Sequence, residues 1–325
     1  MSRSRKAKAG LHGLLLVNKP AGITSHNVVD KVRRILGMRK VGHTGTLDPQ
    51  ARGLLVLCLG GATRFARYLT KQDKTYRAVI RLGESTTTDD TEGEVTFRYE
   101  GDLEKLLANL RLDSLLEEFI GIIPQVPPSF SSKKIDGVPA YAMARRGVKP
   151  ELKPVTVRID SIRLLNVQLP AVEIELDCSA GTYLRSLARD LGDKLGCGAH
   201  LASLLRTRVG DFTLAMATTL EQLKVEAGKT VEQQLILPVE KALSRFPAVK
   251  LSGAGVEKIY FGRLVDLGVE GELVGKVVLA EGPHEVRIHD SRDSFLGVGL
   301  LDHSGGSSGV LRPKRLMMEA FSFGS

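Results

Sequence analysis

The chain has 325 residues, 42% of them hydrophobic and 26% charged, enough apolar material for one large core plus a smaller unit and too much for a disordered polypeptide. No apolar stretch approaches the roughly 20 residues that cross a bilayer, which excludes a helical membrane protein. The formal net charge of +9 points toward a polyanionic partner.

The first ten residues, MSRSRKAKAG, are basic but lead into no apolar core with a cleavage site. They read as a flexible tail able to touch phosphates, not as a secretory signal. Residues 14–17 form a strand signal running into the turn Asn18-Lys19-Pro20-Ala21-Gly22. Thr24 or Ser25 then caps a helix in which Val28, Val29, Val32, Ile35 and Leu36 recur at helical spacing, closed by Gly37. A glycine-punctuated stretch, 42–53, leads into an apolar strand at 54–59, and 63–69 reads as a short basic helix. Tyr76, Ala78, Ile80 and Leu82 alternate with Arg77, Val79 and Arg81, the period of a half-exposed strand. The acidic, Thr-rich segment 84–94 reads as a loop and 102–119 as one acidic amphipathic helix.

Pro127 and Pro128 precede a basic loop that leads to 141–146. A second alternation sets Val172, Ile174, Leu176 and Cys178 against Glu173, Glu175 and Asp177. It ends at Ser179-Ala180-Gly181, where Thr182 is placed to cap a helix burying Leu184, Leu187, Ala188, Leu191 and Leu195. Strands and helices are interspersed without a regular βαβ rhythm, which predicts a mixed α+β fold. From about residue 246, short alternating segments punctuated by glycines predict a small β-rich unit, with the Gly-Ser run at 304–309 as a hairpin loop. Cys58, Cys178 and Cys197 have no metal-like spacing; an odd count without a secretory signal fits core thiols in a reducing cytoplasm.

The chemistry centres on Asp48. It lies between glycines and directly before Pro49, which biases it away from helical geometry, and a bare Asp-Pro in such a loop serves most often as a turn-former. His43 nearby, flanking basic segments and an apolar strand immediately after it favour a catalytic carboxylate on a rigid scaffold instead. Basic residues gather at Lys31, Arg33, Arg34, Arg39 and Lys40, at Arg64 to Arg77, and at Lys133, Lys134, Arg145 and Arg146. Each cluster alone is better explained as a solvated face.

The run Gly42-His43-Thr44-Gly45-Thr46-Leu47-Asp48-Pro49-Gln50-Ala51-Arg52-Gly53 resembles the signature loop of the TruB family of tRNA pseudouridine-55 synthases. Further similarities follow in order: Leu16 to Gly22, Lys74-Thr75-Tyr76, Thr88-Asp89, Pro127 to Lys133, Gly181 to Gly192 and Leu204 to Gly210. They span about 11–240, and the remainder resembles a PUA domain. Arg52 stands where a small residue or Thr is expected, and Ser132 where Ala is usual.

The resemblance implies a mainly antiparallel central sheet with flanking helices and a barrel-like C-terminal domain. It implies a catalytic domain at 11–243, an RNA-gripping insertion near 124–153 and an RNA-binding domain at 244–325. It implies isomerisation of uridine in the T-arm loop of tRNA by a cytoplasmic monomer, with no cofactor and no metal. Asp48, Arg185 and Tyr76 take the catalytic places, as carboxylate, its pairing partner and the residue stacked on the base. His43, Lys19, Leu205 and Lys133 take substrate-binding places. Arg185 is expected to lower the pKa of Asp48. A noncatalytic tRNA-binding or tRNA-folding module would keep the basic surfaces and leave Asp48 as a turn-former. A hydrolase built on His43 and Asp48 lacks a nucleophile motif or ligand set.

Overall fold

A computed structural model describes residues 11–318 apart from 109, 132, 136, 145, 149, 227–233, 276–281 and 303–308. The basic tail at 1–10, Arg145 and most of the Gly-Ser run therefore lie outside the described residues.

Ten strands form the main sheet. Its central path runs Ile236–Leu237, Gly13–Lys19, Arg52–Leu59, Ala199–Val209, Lys74–Leu82, Ala171–Cys178, Val155–Gln168 and Gly121–Gln125. All described pairs in it are antiparallel except the short parallel contact of Leu205 with Arg52 and Arg206 with Gly53. The two predicted alternations pair with each other, Tyr76 opposite Leu176 and Ala78 opposite Ile174, so their apolar sets fall on one buried face. Helix Leu184–Leu195 covers that face with Leu187, Ala188 and Leu191, each buried.

Helix Ser25–Leu36 packs through Val28, Val29 and Val32 in a separate core with Leu15, Val17, Leu55 and Leu57. Thr24 and Asn27 close a reciprocal capping box at its start, and Gly37 ends it at φ 66°.

Three local expectations change. The segment 102–119 is two helices, Leu103–Ala108 and Leu112–Glu117, with extended backbone at Arg111. At 3.6 residues per turn, the apolar stripe through Leu103, Leu106 and Leu107 would lie opposite that through Leu112, Leu116 and Phe119. Breaking the helix turns both stripes onto the same core. Stretch 84–94 is not all loop, because Glu84–Thr86 pairs with Val95–Arg98 and lifts Thr88, Asp89 and Asp90 to a hairpin tip. Thr182 is not the helix cap: Tyr183 holds that position, and the Thr182 hydroxyl donates to the Ser179 carbonyl. The Gln125 amide instead grips the Tyr183 backbone, accepting from its N–H at 2.8 Å and donating to its carbonyl at 3.1 Å.

The C-terminal part is a nearly closed, barrel-like six-stranded sheet, with helix Gly253–Tyr260 and its own core of Val249, Val286, Ile288 and Leu311. It packs on the main unit through Phe65 and Phe295, ring centroids 5.7 Å apart. Glu240 accepts from Arg287 and meets His289, both at 2.8 Å. The three cysteines are free and buried. Among the described residues no helix is long and apolar enough to cross a membrane.

Candidate active site

Three adjacent strands set the site in one row. Gly53 lies beside Arg206, and Arg206 beside Tyr76, so sheet register brings together residues more than a hundred positions apart. The loop carrying Asp48 enters this row and is pinned from several sides. The Ser25 hydroxyl exchanges hydrogen bonds with the backbone of Leu47, at 2.8 and 3.0 Å. Lys19 Nζ donates to the carbonyls of Pro20, Ile23 and Pro49 at 2.9, 2.6 and 2.9 Å. Arg206, 2% exposed, donates to the carbonyls of Leu54, Gly45 and Thr46.

Gly53 is where this packing leaves no room. Its φ is +103°, and a Cβ there would meet the Arg206 carbonyl oxygen at 2.3 Å. Gly53→Ala is expected to lower folding stability by roughly 3 kcal/mol, from backbone strain plus collision. Urea denaturation measures it, and an unchanged midpoint would contradict the close approach.

Arg185 Nε lies 3.0 Å from Asp48 Oδ2. Its other nitrogens reach the carbonyls of Thr88 at 3.3 Å and Phe130 at 3.0 Å, with Asp90 Oδ2 at 3.6 Å. One turn along the helix, Arg189 holds Asp89 at 3.1 Å and Asp190 at 2.8 Å. The hairpin tip is thus tied to the helix by two successive arginines, which fixes the direction of the Arg185 fork.

The Asp48 side chain is 42% exposed toward the cleft yet enclosed by protein elsewhere. That burial is the largest influence on its pKa and raises it above the usual carboxylate range; Arg185 and Lys19 pull it down and Asp90 pushes it up. The expected lowering by Arg185 is present but outweighed. The direction is therefore a correction, with desolvation as the reason.

Asp48 opens onto a cleft of about 580 Å³, within the usual range for small-ligand sites. Tyr76, Leu204, Lys74, Arg206, Tyr141 and Tyr183 are among the residues that line it. Tyr76 is 7% exposed, and burial raises its phenol pKa while Arg206, hydrogen-bonded to it, lowers it. A protonated hydroxyl thus sits on an apolar ring in the floor of the cleft.

Of the sequence-derived candidates, the structure brings Asp48, Arg185 and Tyr76 together around this cleft. Lys19 is fully buried behind the turn with its three donors on three carbonyls, so it supports the loop and has none left for a ligand. Burial is the main reason its pKa falls to about 8. Leu205 does not line the cleft, whereas Leu204 and Leu201 do. Register shifts at Leu201/Ser203 and Arg206/Arg208 interrupt the strand's alternation, which is why the neighbouring leucine faces inward.

His43 also lies outside the cleft lining, on the short strand Val41–His43, its pKa lowered by burial and by Arg206. Lys133 lies just before the short strand Lys134–Ile135, its ammonium 3.5 Å from the Lys153 carbonyl, and does not line the cleft. Arg206 and Lys74 fall within motifs that carry the resemblance, but neither they nor Asp90 was given a role from sequence. The one available signal was a charged residue at an inward strand position, and only for Lys74, two places before Tyr76, is that parity visible. Among the described residues no cluster of three metal-ligating side chains occurs.

Residues 33–184 match the TruB family pseudouridylate synthase N-terminal domain. Residues 185–244 match the tRNA pseudouridylate synthase B C-terminal domain, and 247–317 the C-terminal domain of pseudouridine synthase II TruB. The chain is 42% identical to the tRNA pseudouridine synthase B of Burkholderia mallei, covering 97% of both chains. It is 36% identical to that of Haemophilus influenzae, covering 98% of this chain and 100% of the relative. Among solved structures it is similar to a Cbf5-Nop10-Gar1 complex, with TM-score 0.69, 26% identity and coverage of 94% of this chain and 85% of the other. A chain of an H/ACA RNP bound to a substrate RNA containing 2′-deoxyuridine shares the fold at TM-score 0.69 and 23% identity, covering 95% of this chain and 87% of the other.

Proposed function

Since the chain belongs to the TruB family of pseudouridylate synthases, we propose that it converts uridine to pseudouridine at position 55, in the T-arm loop of tRNA, with Asp48 as the essential carboxylate. The observation that carries this reading is the Asp48 carboxylate, 3.0 Å from Arg185 Nε, at a nucleotide-sized cleft floored by Tyr76.

The reaction breaks the N1–C1′ bond, turns the uracil and joins C5 to C1′, releasing the C5 proton. N1 takes up a proton in exchange for the one lost from C5, so product and substrate are isomers and no group donor is required. Attack at C1′, addition at C6 and elimination to a glycal all use the same ionised carboxylate, and Arg185 sustains that charge against the cost of burial. The target base must leave its stack at a cost of a few kcal/mol. Tyr76 and Leu204 offer the extruded uracil an apolar, aromatic surface, and contacts to tRNA phosphates offset the rest. In this reading 11–243 is the catalytic unit and the insertion near 124–153, with Lys133, grips RNA. Residues 244–325 bind RNA as well, and the protein works as a cytoplasmic monomer.

Unmodified tRNA tritiated at uracil C5 tests the function directly. Wild-type protein is expected to release label to water; tight binding with all label retained would leave only a noncatalytic tRNA-binding module. Tyr76→Phe, which keeps the ring and loses the hydroxyl, is expected to lower kcat by roughly 10²-fold with tRNA affinity nearly unchanged. Wild-type turnover in that variant would remove the hydroxyl from the mechanism.

A further inference from the structure

The cleft lining carries both signs of charge. Among the described residues its only acidic side chain is Asp48, which is paired with Arg185. Lys74 and Arg206 converge on Gly45, three residues before Asp48: a Cβ on that glycine would lie 3.5 Å from Arg206 Nη1 and 3.7 Å from Lys74 Cε.

Lys74 stands two positions before Tyr76, so both project from the same, buried face of a central strand. A lysine there is 6% exposed, and an almost wholly buried lysine calls for an explanation. Its ammonium donates to the carbonyls of Thr70 at 3.1 Å and Gln72 at 2.5 Å. An ammonium has three donors, so among the described residues one remains while the side chain borders the cleft. Lys19 is the contrast, with all three donors on carbonyls and no place in the lining.

We propose that Lys74 holds a backbone phosphate of the extruded nucleotide, so that the cleft orients its substrate by charge, carboxylate beside the sugar carbon and ammonium at the phosphate. This rests on the reading of the cleft as a nucleotide site. Burial, then the nearby Arg206, push the Lys74 pKa down to about 8, while Cys178 and Asp73 act in the opposite direction. Two cations pressed together in this way gain from an anion between them. Arg206 bonds the carbonyls of Leu54, Thr46 and Gly45 and the Tyr76 hydroxyl, so the protein itself holds its guanidinium in place, and Lys74 is the cation assigned to the phosphate.

The experiment uses a T-arm stem-loop RNA in which one or the other phosphate flanking the target uridine is replaced by a neutral methylphosphonate. With wild-type protein, one of the two replacements is expected to weaken equilibrium binding about tenfold. Lys74→Gln weakens binding of the all-phosphate RNA by a similar factor and shows no further loss with the neutral linkage, and Lys74→Arg retains most of the affinity. Losses that multiply between Lys74→Gln and the methylphosphonate overturn the proposal, because the two groups would then act independently. So does wild-type protein indifferent to both replacements, a result that needs no variant to fold. Binding is read without turnover, so absent tritium release would count against the isomerase reading and leave this measurement standing.

Discussion

Asp48→Asn abolishes release of C5 tritium, by on the order of 10⁴-fold, while leaving the protein at least as stable as the parent at neutral pH. The loss follows from chemistry, since an amide can neither attack C1′, add to C6 nor accept a proton as a carboxylate does. The stability follows from the sign of the pKa shift. Burial raises the folded-state pKa above 3.8, so the folded protein holds this proton more tightly than the unfolded chain. Stability from this group is fully present below the unfolded pKa and is lost as pH rises through the folded one. At pH 7 the charge is a net burden on the fold, and asparagine removes it. Arg185 keeps its partners Asp90, Thr88 and Phe130 in that variant. Thermal unfolding at pH 7 measures stability, and the tritium assay measures activity. Turnover within tenfold of wild type would end the case for Asp48, and a large drop in melting temperature would recast it as structural.

Arg185→Met is expected to cut kcat/KM by roughly 10³-fold and to move the acid limb of the pH–rate profile upward. The second effect is the more diagnostic. Arg185 is the strongest influence holding the Asp48 pKa down, so removing it lets burial and Asp90 act unopposed except by Lys19. The carboxylate is then ionised only at higher pH, and activity partly recovers as pH rises. Arg185→Lys restores charge without the planar fork, so it is expected to lower the limb again and regain only part of the rate. The Met variant also leaves Asp48 and Asp90 facing each other with no guanidinium between them, at a stability cost of about 3 kcal/mol. An acid limb unchanged in Arg185→Met would show that another group sets the charge of Asp48.

The reach of the sequence differs from element to element. Helix Ser25–Leu36 was legible to its Gly37 end and, at its start, to a choice of Thr24 or Ser25, because caps and spaced valines act on their own neighbours. The strands around Tyr76 and Ile174 were legible because alternation is a local signal. The glycines and proline beside Asp48 read alone as a turn, and its catalytic role was read from His43, the basic segments and the apolar strand around it, and from the resemblance. Leu205, named only through the resemblance, does not line the cleft, whereas Leu204 does. Where the apolar stripe changed sides, two helices were taken for one.

Arg206 shows what lay beyond any local pattern. Nothing in its own segment marks it as the clamp of a loop some 150 residues earlier, yet sheet register delivers it to the carbonyls of Gly45, Thr46 and Leu54. Lys19, Lys74 and Arg185 are alike as isolated cations; only packing leaves the first saturated behind a turn, the second bonded to two carbonyls at the cleft lining and the third against a carboxylate. Whether Asp48 would be held below or above its ordinary pKa was likewise decided in three dimensions. Conformational preference acts between residues close in the chain, whereas desolvation and charge depend on whichever distant groups the folded sheet brings within a few ångströms.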